Sequence, residues 1–167
     1  EAEAEALLTR AFAPLGREGR DTLTPKQVLT RIQATVFPYD VSIVKNGPAL
    51  ERALAEIRRI REEELPRMAA ADPHYLLKLH EVEAVAFVSE LFVRASLERR
   101  ESRAGHFRED FPRMDPAGPS WIFVRRKADG TAEFTPERVP LEQWRVPLTR
   151  CYQDNFTFVE QATGKDR

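Results

Sequence analysis

From about Pro73 to Arg100 the chain reads as one long helix, opened by an Asp72-Pro73 cap and apolar on nearly every side between Val82 and Ala95. Its polar stripe is narrow, at Glu83, Glu90, Arg94, Glu98 and Glu101, with Glu90 and Arg94 spaced for a helical ion pair worth roughly 0.3 kcal/mol. A helix with so little polar surface belongs in the middle of a fold. Phe87, Leu91 and Phe92 are expected to be buried there, each contributing about 1.5–3 kcal/mol. The other elements should pack around this one.

Two amphipathic partners are legible upstream. Thr24-Pro25 supplies an N-cap followed by proline at the first helical position, and Val28, Leu29, Ile32 and Val36 follow at helical spacing until Phe37-Pro38. After the Asn46-Gly47-Pro48 break, Leu50, Ala53, Leu54, Ile57, Ile60 and Leu65 share one face. Glu51, Arg52, Glu56, Arg58, Arg59 and Glu62 take the other, until Pro66 ends the regular pattern. Between the two helices, Tyr39 to Gly47 fits either a short strand or an irregular linker. At the N-terminus, Leu7, Leu8, Ala11 and Phe12 form one helical face that Pro14 and Gly16 stop, and Arg17 to Leu23 reads as a surface loop.

Beyond Pro112 the character changes. Ser120 to Arg126 is rich in β-prone residues, Ala128-Asp129-Gly130-Thr131 is a turn signal, and Ala132 to Thr135 makes the return strand. Pro136, Pro140 and Pro147 should keep the C-terminal tail extended, with Tyr152, Phe156 and Phe158 lying along the surface or a partner. The expected fold is mainly α: an antiparallel three-helix bundle of the spectrin-repeat kind with a small C-terminal β-hairpin and an extended tail. Its parts are an N-terminal helix and loop (1–23), the bundle with a terminal ionic loop (24–112), and the hairpin with its tail (113–167).

Composition excludes several classes of function. A formal net charge of -1 leaves no electrostatic footprint for nucleic acid. No run reaches the ~18 apolar residues of a membrane span, and no signal-peptide order stands at the N-terminus, so we expect a soluble, cytoplasmic protein without direct membrane insertion. The lone Cys151 allows no internal disulfide, makes no metal-ligand spacing with His74, His80 and His106, and reads as a buried inert thiol. The chain opens without Met inside a Glu-Ala repeat that looks like helix interior, and an excised fragment is expected.

The densest chemistry lies between Arg94 and Arg113, where six basic residues face four acidic ones with His106, Phe107 and Phe111 interleaved. Mixed charge with aromatics argues for a loop docked against something. Arg103, His106, Arg108 and Asp110 could in principle hold a carboxylate between two guanidinium forks with His106 as acid. The plainer reading is that they pair with neighbours and pin the loop. No catalytic motif stands anywhere else: the chain lacks a Gly-rich phosphate loop, Gly-x-Ser-x-Gly, His-Glu-x-x-His and Cys-x-x-Cys.

Glu101-Ser102-Arg103-Ala104-Gly105-His106-Phe107-Arg108-Glu109-Asp110-Phe111-Pro112, followed by Asp115 and Trp121, resembles the pattern near the C-terminus of fumarate reductase and succinate dehydrogenase flavoproteins. Ile32-Gln33, the run Val41 to Asn46 and Leu50 to Ile57 are similar to the segment preceding that pattern, so the resemblance covers roughly residues 25–121. The Asp72-Pro73-His74 entry and the hairpin lean toward the adenylylsulfate reductase α-subunit branch. Two positions depart: Ala104 stands where the family has Gly, and Pro116 where it has a second Asp.

The resemblance implies a C-terminal helical domain that is inactive alone. FAD is then expected in the full-length protein, held by a flavin-binding domain of the same polypeptide, and no cofactor in this chain. It also implies a further partner, an iron–sulfur subunit, through which the protein would lie at the inner face of the membrane. No catalytic residue carries over; Glu101, Ser102, Arg103, His106, Arg108, Asp110, Asp115 and Trp121 stand as candidates for an interdomain latch. In that role Arg108 would face water in the chain alone. An independent helical interaction module is the alternative.

Overall fold

Among the described residues the three longest helices each begin where a side chain can accept the backbone N–H groups that the first turn leaves without partners. In this computed structural model, which describes residues 1–17, 19–140 and 143, helix α1 spans Ala2–Phe12 and helix α2 spans Pro25–Val36. Thr24 caps α2 in a full capping box: its hydroxyl accepts from Gln27 N, and the Gln27 side chain accepts from Thr24 N at 2.8 Å. Helix α4 (Gly47–Arg59) is capped by Asn46, and helix α5 (Pro73–Glu98) by Asp72, whose carboxylate accepts from Tyr75 N at 2.9 Å. The ambiguous stretch between α2 and α4 resolves into a one-turn helix α3 (Tyr39–Ser42) and a two-residue strand β1 (Val44–Lys45).

The molecule is mainly helical, with one antiparallel hairpin. Helices α2, α4 and α5 pack on one another around Val28, Ile32, Ile57, Ile60, Met68, Leu79 and Val82, and a second cluster joins Val41, Leu50, Ala53 and Val93. Helix α4 runs into a π-turn at Ile60–Glu64 and a 3-10 turn at Leu65–Arg67, where Pro66 has no N–H to continue the ladder. The widened turn swings Glu64 inward to 3 % exposure, where it accepts from Arg31 and from Arg59, both at 2.6 Å.

Helix α5 departs from expectation. Its buried line is Leu76, Leu79, Val82, Ala86, Ser89, Glu90, Val93 and Ser96, whereas Phe87, Val88 and Phe92 stand 47 %, 60 % and 41 % exposed. The expected burial of Phe87 and Phe92 is therefore corrected, and Leu91 is only half-buried. A helix apolar all round carries no phase, so the sequence cannot say which side its own chain will cover. Glu90 is corrected as well: it lies on the inner side, meeting Arg58, Arg61 and Arg94. The helix ends at Glu98, so Glu101 leaves the expected stripe and turns inward.

Helix α1 does show one apolar side, but Leu7, Leu8 and Phe12 are at least half exposed. The loop after it runs along the surface yet plants Leu23 in the core and holds Arg17 on the carbonyls of Pro66 and Met68. Strands β3 (Ser120–Arg126) and β4 (Ala132–Arg138) form the hairpin, and Pro136 lies inside β4 opposite Ile122 rather than in an extended tail. Arg94 ties the hairpin to α5, donating to Ala132 O at 2.8 Å with its guanidinium 4.4 Å from the Phe134 ring centre. The expected features around Pro147, Cys151, Tyr152, Phe156 and Phe158 lie outside the described residues. Among the described residues no helix is long and apolar enough to cross a membrane.

Candidate functional site

Two helix ends meet at the ionic loop. The last turn of α5 leaves carbonyls pointing out with no N–H to receive them, and the first turn of α4 leaves N–H groups without acceptors. Strand β2 (Phe107–Arg108) pairs in parallel with β1, Lys45 opposite Arg108, and this carries Arg108 between the two ends. Arg108 is 2 % exposed. Its Nη1 donates to Ser96 O at 2.5 Å, with Leu97 O and Arg99 O at 3.4 Å, while Nε and Nη2 grip both oxygens of Asp110 at 2.8 and 2.7 Å. Asp110 Oδ2 in turn accepts from Gly47 N at 2.9 Å. A cation thus closes a helix C-terminus and its carboxylate closes a helix N-terminus, each matching the local dipole.

Glu101 forms the second node. It is 3 % exposed and accepts from Arg99, from Arg103 and from Asp115 N. Burial pushes its carboxyl up, but the hydrogen bonds from Arg103 and Asp115 outweigh that and hold it below its ordinary value. The Ser102 hydroxyl accepts from Arg108 N at 2.8 Å and donates to Phe111 O at 2.9 Å. Arg103 and His106 exchange backbone hydrogen bonds across a two-residue turn, with Ala104 at φ 50. The left-handed position thus falls on Ala104, where the family pattern has Gly, and Gly105 beside it has ordinary φ. An L-residue there costs roughly 1–2 kcal/mol.

His106 sits over Arg99 O, toward which its Nε2 donates at 3.2 Å. Burial lowers its pKa, the hydrogen bond to Arg99 O opposes this, and the charges of Lys45, Arg99 and Arg108 lower it further, which favours the uncharged ring. Trp121 lies apart, 48 % exposed on the hairpin and edge-on to Phe123. Of the candidates named from sequence, the fold gathers Glu101, Ser102, Arg103, His106, Arg108, Asp110 and Asp115 and leaves Trp121 outside. Sequence reasoning missed Lys45 and Gly47 as members; the β-prone run ending in Asn46-Gly47 was the only signal for them.

The arrangement has little room for a substrate. Both guanidinium forks that might clasp a carboxylate are filled by this chain's own acceptors. Nor do the residues fit a flavin. Among the described residues the one helix that opens on a glycine is α4, and its Gly47 N–H is taken by Asp110, whose Oδ2 would stand 3.0 Å from any Cβ added there.

Asp110 gives a titration signature. The Arg108 hydrogen bonds lower its pKa from 3.8 to about 2. A carboxyl depressed on folding stabilises fully above its unfolded pKa and loses that contribution as pH falls through the folded one. Asp110 stands partly in solvent, which screens the pair, so the chain should lose about 1 kcal/mol from this group as pH falls from about 4 toward 2. Asp110→Asn should be less stable at pH 7 and show a shallower acid limb in urea midpoints measured against pH; parallel limbs for the two proteins would contradict this.

The family model described as fumarate reductase flavoprotein C-term matches residues 32–152. The chain belongs to that family. This flavoprotein C-terminal chain is 32% identical over 161 residues to a fumarate reductase flavoprotein subunit of Mycobacterium tuberculosis, spanning 91% of the chain and 26% of the relative. It is also 32% identical over 112 residues to a fumarate reductase (CoM/CoB) subunit of Methanothermobacter marburgensis, 65% of the chain and 20% of the relative. In fold it is similar to a quinol-fumarate reductase with menaquinol (TM-score 0.73, 18% identity, 87% of this chain and 26% of that one). The Mycobacterium smegmatis Sdh1 complex gives a TM-score of 0.68 at 19% identity over 97% and 27%. The flavoprotein C-terminal chain thus spans about a quarter of the length of these relatives.

Proposed function

We propose that this chain is the C-terminal helical domain of an FAD-dependent fumarate reductase or succinate dehydrogenase flavoprotein, docked on the flavin-binding domain of the same polypeptide and contributing no reacting group. The observation that carries this reading is the uncovered outer side of α5. Leu77, Val85, Val88 and Phe92 recur at helical spacing and stand 40 % to 60 % exposed, a stripe that a monomer of this size would not ordinarily leave in water. The relatives have about three-quarters of their length outside the matched part, which is ample to cover it.

In this reading α2, α4 and α5 act as a three-helix bundle (24–112, with its loop), residues 1–23 as an accessory helix and 113–167 as a hairpin and tail. The Arg108–Asp110 node keeps the two helix ends in register, so that the docking side of α5 is presented rigidly. A further partner, an iron–sulfur subunit, and a cytoplasmic position at the inner face of the membrane extend the same reading by analogy with the assemblies of its relatives.

Val88→Glu in the full-length polypeptide tests it. At 60 % exposure the change is tolerated by this chain's own core, so its midpoint by itself should move little. In the full-length protein a carboxylate pressed into an apolar contact should lower flavin retention and the thermal midpoint. Wild-type flavin content and midpoint in that variant would overturn the docking assignment and favour an independent interaction module.

A further inference from the structure

Among the described residues Lys45 is the one buried basic side chain that the ionic loop does not account for. It is 3 % exposed, yet among the described residues nothing accepts a hydrogen bond from its ammonium and no carboxylate pairs with it. Two carboxylates of the ionic loop are committed elsewhere: Asp110 to Arg108 and Gly47 N, Glu101 to Arg99 and Arg103. Its surroundings are instead the Phe92 ring, 5.7 Å from Nζ, and the cation of Arg108, and burial and that charge together hold the ammonium below its ordinary pKa. The stem is buried but Nζ is not sealed from water, since among the described residues no fully buried side-chain nitrogen lacks a hydrogen-bond partner; its charge is met within this chain by the Phe92 ring and by no anion.

The missing anion has a direction. Phe92 is one of the exposed residues of the α5 docking stripe, and Ile43, two residues before Lys45, is 55 % exposed. Lys45 therefore lies beneath the edge of the same apolar surface. We propose that a carboxylate side chain of the flavin-binding domain reaches through this edge and forms a desolvated ion pair with Lys45, fixing the register of the two domains. This rests on the docking assignment above. A phosphate is the poorer occupant, since it asks for several convergent donors and the Arg108 fork beside Lys45 is already filled by Asp110 and the carbonyls of α5. Docking of Phe92 supplies area; the ion pair supplies specificity, because a misaligned interface would bury both charges unpaired.

Zero-length carbodiimide coupling on the full-length polypeptide tests the pair directly, since it joins an amine to a carboxylate only when the two are in contact. Peptide mapping should find Lys45 joined to an aspartate or glutamate outside this chain, and Lys45→Met, which keeps the volume but not the charge, should lower the full-length midpoint and flavin retention while Lys45→Arg largely preserves both. Absence of a coupled product, coupling to Glu109 or Asp110 of this chain, or a Lys45→Met protein as stable as wild type would each overturn the proposal. The Val88→Glu variant separates the two failures. If Val88→Glu weakens docking and Lys45→Met does not, the domain contact stands and the ion pair falls; if neither does, the docking assignment fails first.

Discussion

Arg108→Ala is expected to cost this chain about 3–5 kcal/mol, a large share of the roughly 5–15 kcal/mol that holds an ordinary domain folded. The expectation that Arg108 would face water in the chain alone is corrected by its 2 % exposure. Removing the guanidinium strands Asp110 beside Gly47 and leaves Ser96 O, the shortest of its carbonyl contacts, without its donor. Both helix ends lose their closure at once. Arg108→Lys should recover only a fraction, because an ammonium cannot hold Asp110 with two parallel N–H groups while also reaching the α5 carbonyls. The control is Arg125→Ala, whose partner Glu137 and own side chain are each about half exposed, and which should stay within about 0.5 kcal/mol. Urea unfolding of the three variants gives the order; Arg108→Ala falling close to Arg125→Ala would mean that the node is dispensable.

The same residue shows where sequence reading stops. Helix starts at Thr24-Pro25 and Asp72-Pro73, the inward face of α4 and the Gly130 turn of the hairpin are local signals, and each follows from neighbours within about five residues. The pairing of Lys45 with Arg108 joins residues far apart in the chain through two strands of two residues each, and nothing in either short run announces the other. Charge misled in a different way. Glu90 and Glu101 fall on the polar stripe by type, but each, like Glu64, is buried with two or three guanidinium partners. Their burial is decided by arginines on other turns, which a residue-by-residue pattern does not weigh. The candidate site was found as a cluster because its members are consecutive; what they do was set by the helix ends they reach.

Leu79→Ala and Phe87→Ala should separate the inner and outer sides of α5 by several kcal/mol. Leu79 is wholly buried among residues of α2, α4 and the turn after α4, so truncating it removes contacts on every side and leaves a cavity, at a cost of about 2–5 kcal/mol. Phe87 was expected to be equally sensitive. At 47 % exposure, with the Arg61 guanidinium 5.5 Å from its ring centre, it should cost about 1 kcal/mol or less in this chain, since half of its surface stays in water in either state. In the full-length polypeptide the Leu79 value should be nearly unchanged, whereas the Phe87 value should rise toward that of a core residue if the flavin-binding domain covers it. Chemical denaturation in both contexts measures the difference. A Phe87 effect that is large in the chain alone would mean that α5 is packed on both sides without a partner, and a Leu79 effect below about 1 kcal/mol would remove it from the core altogether.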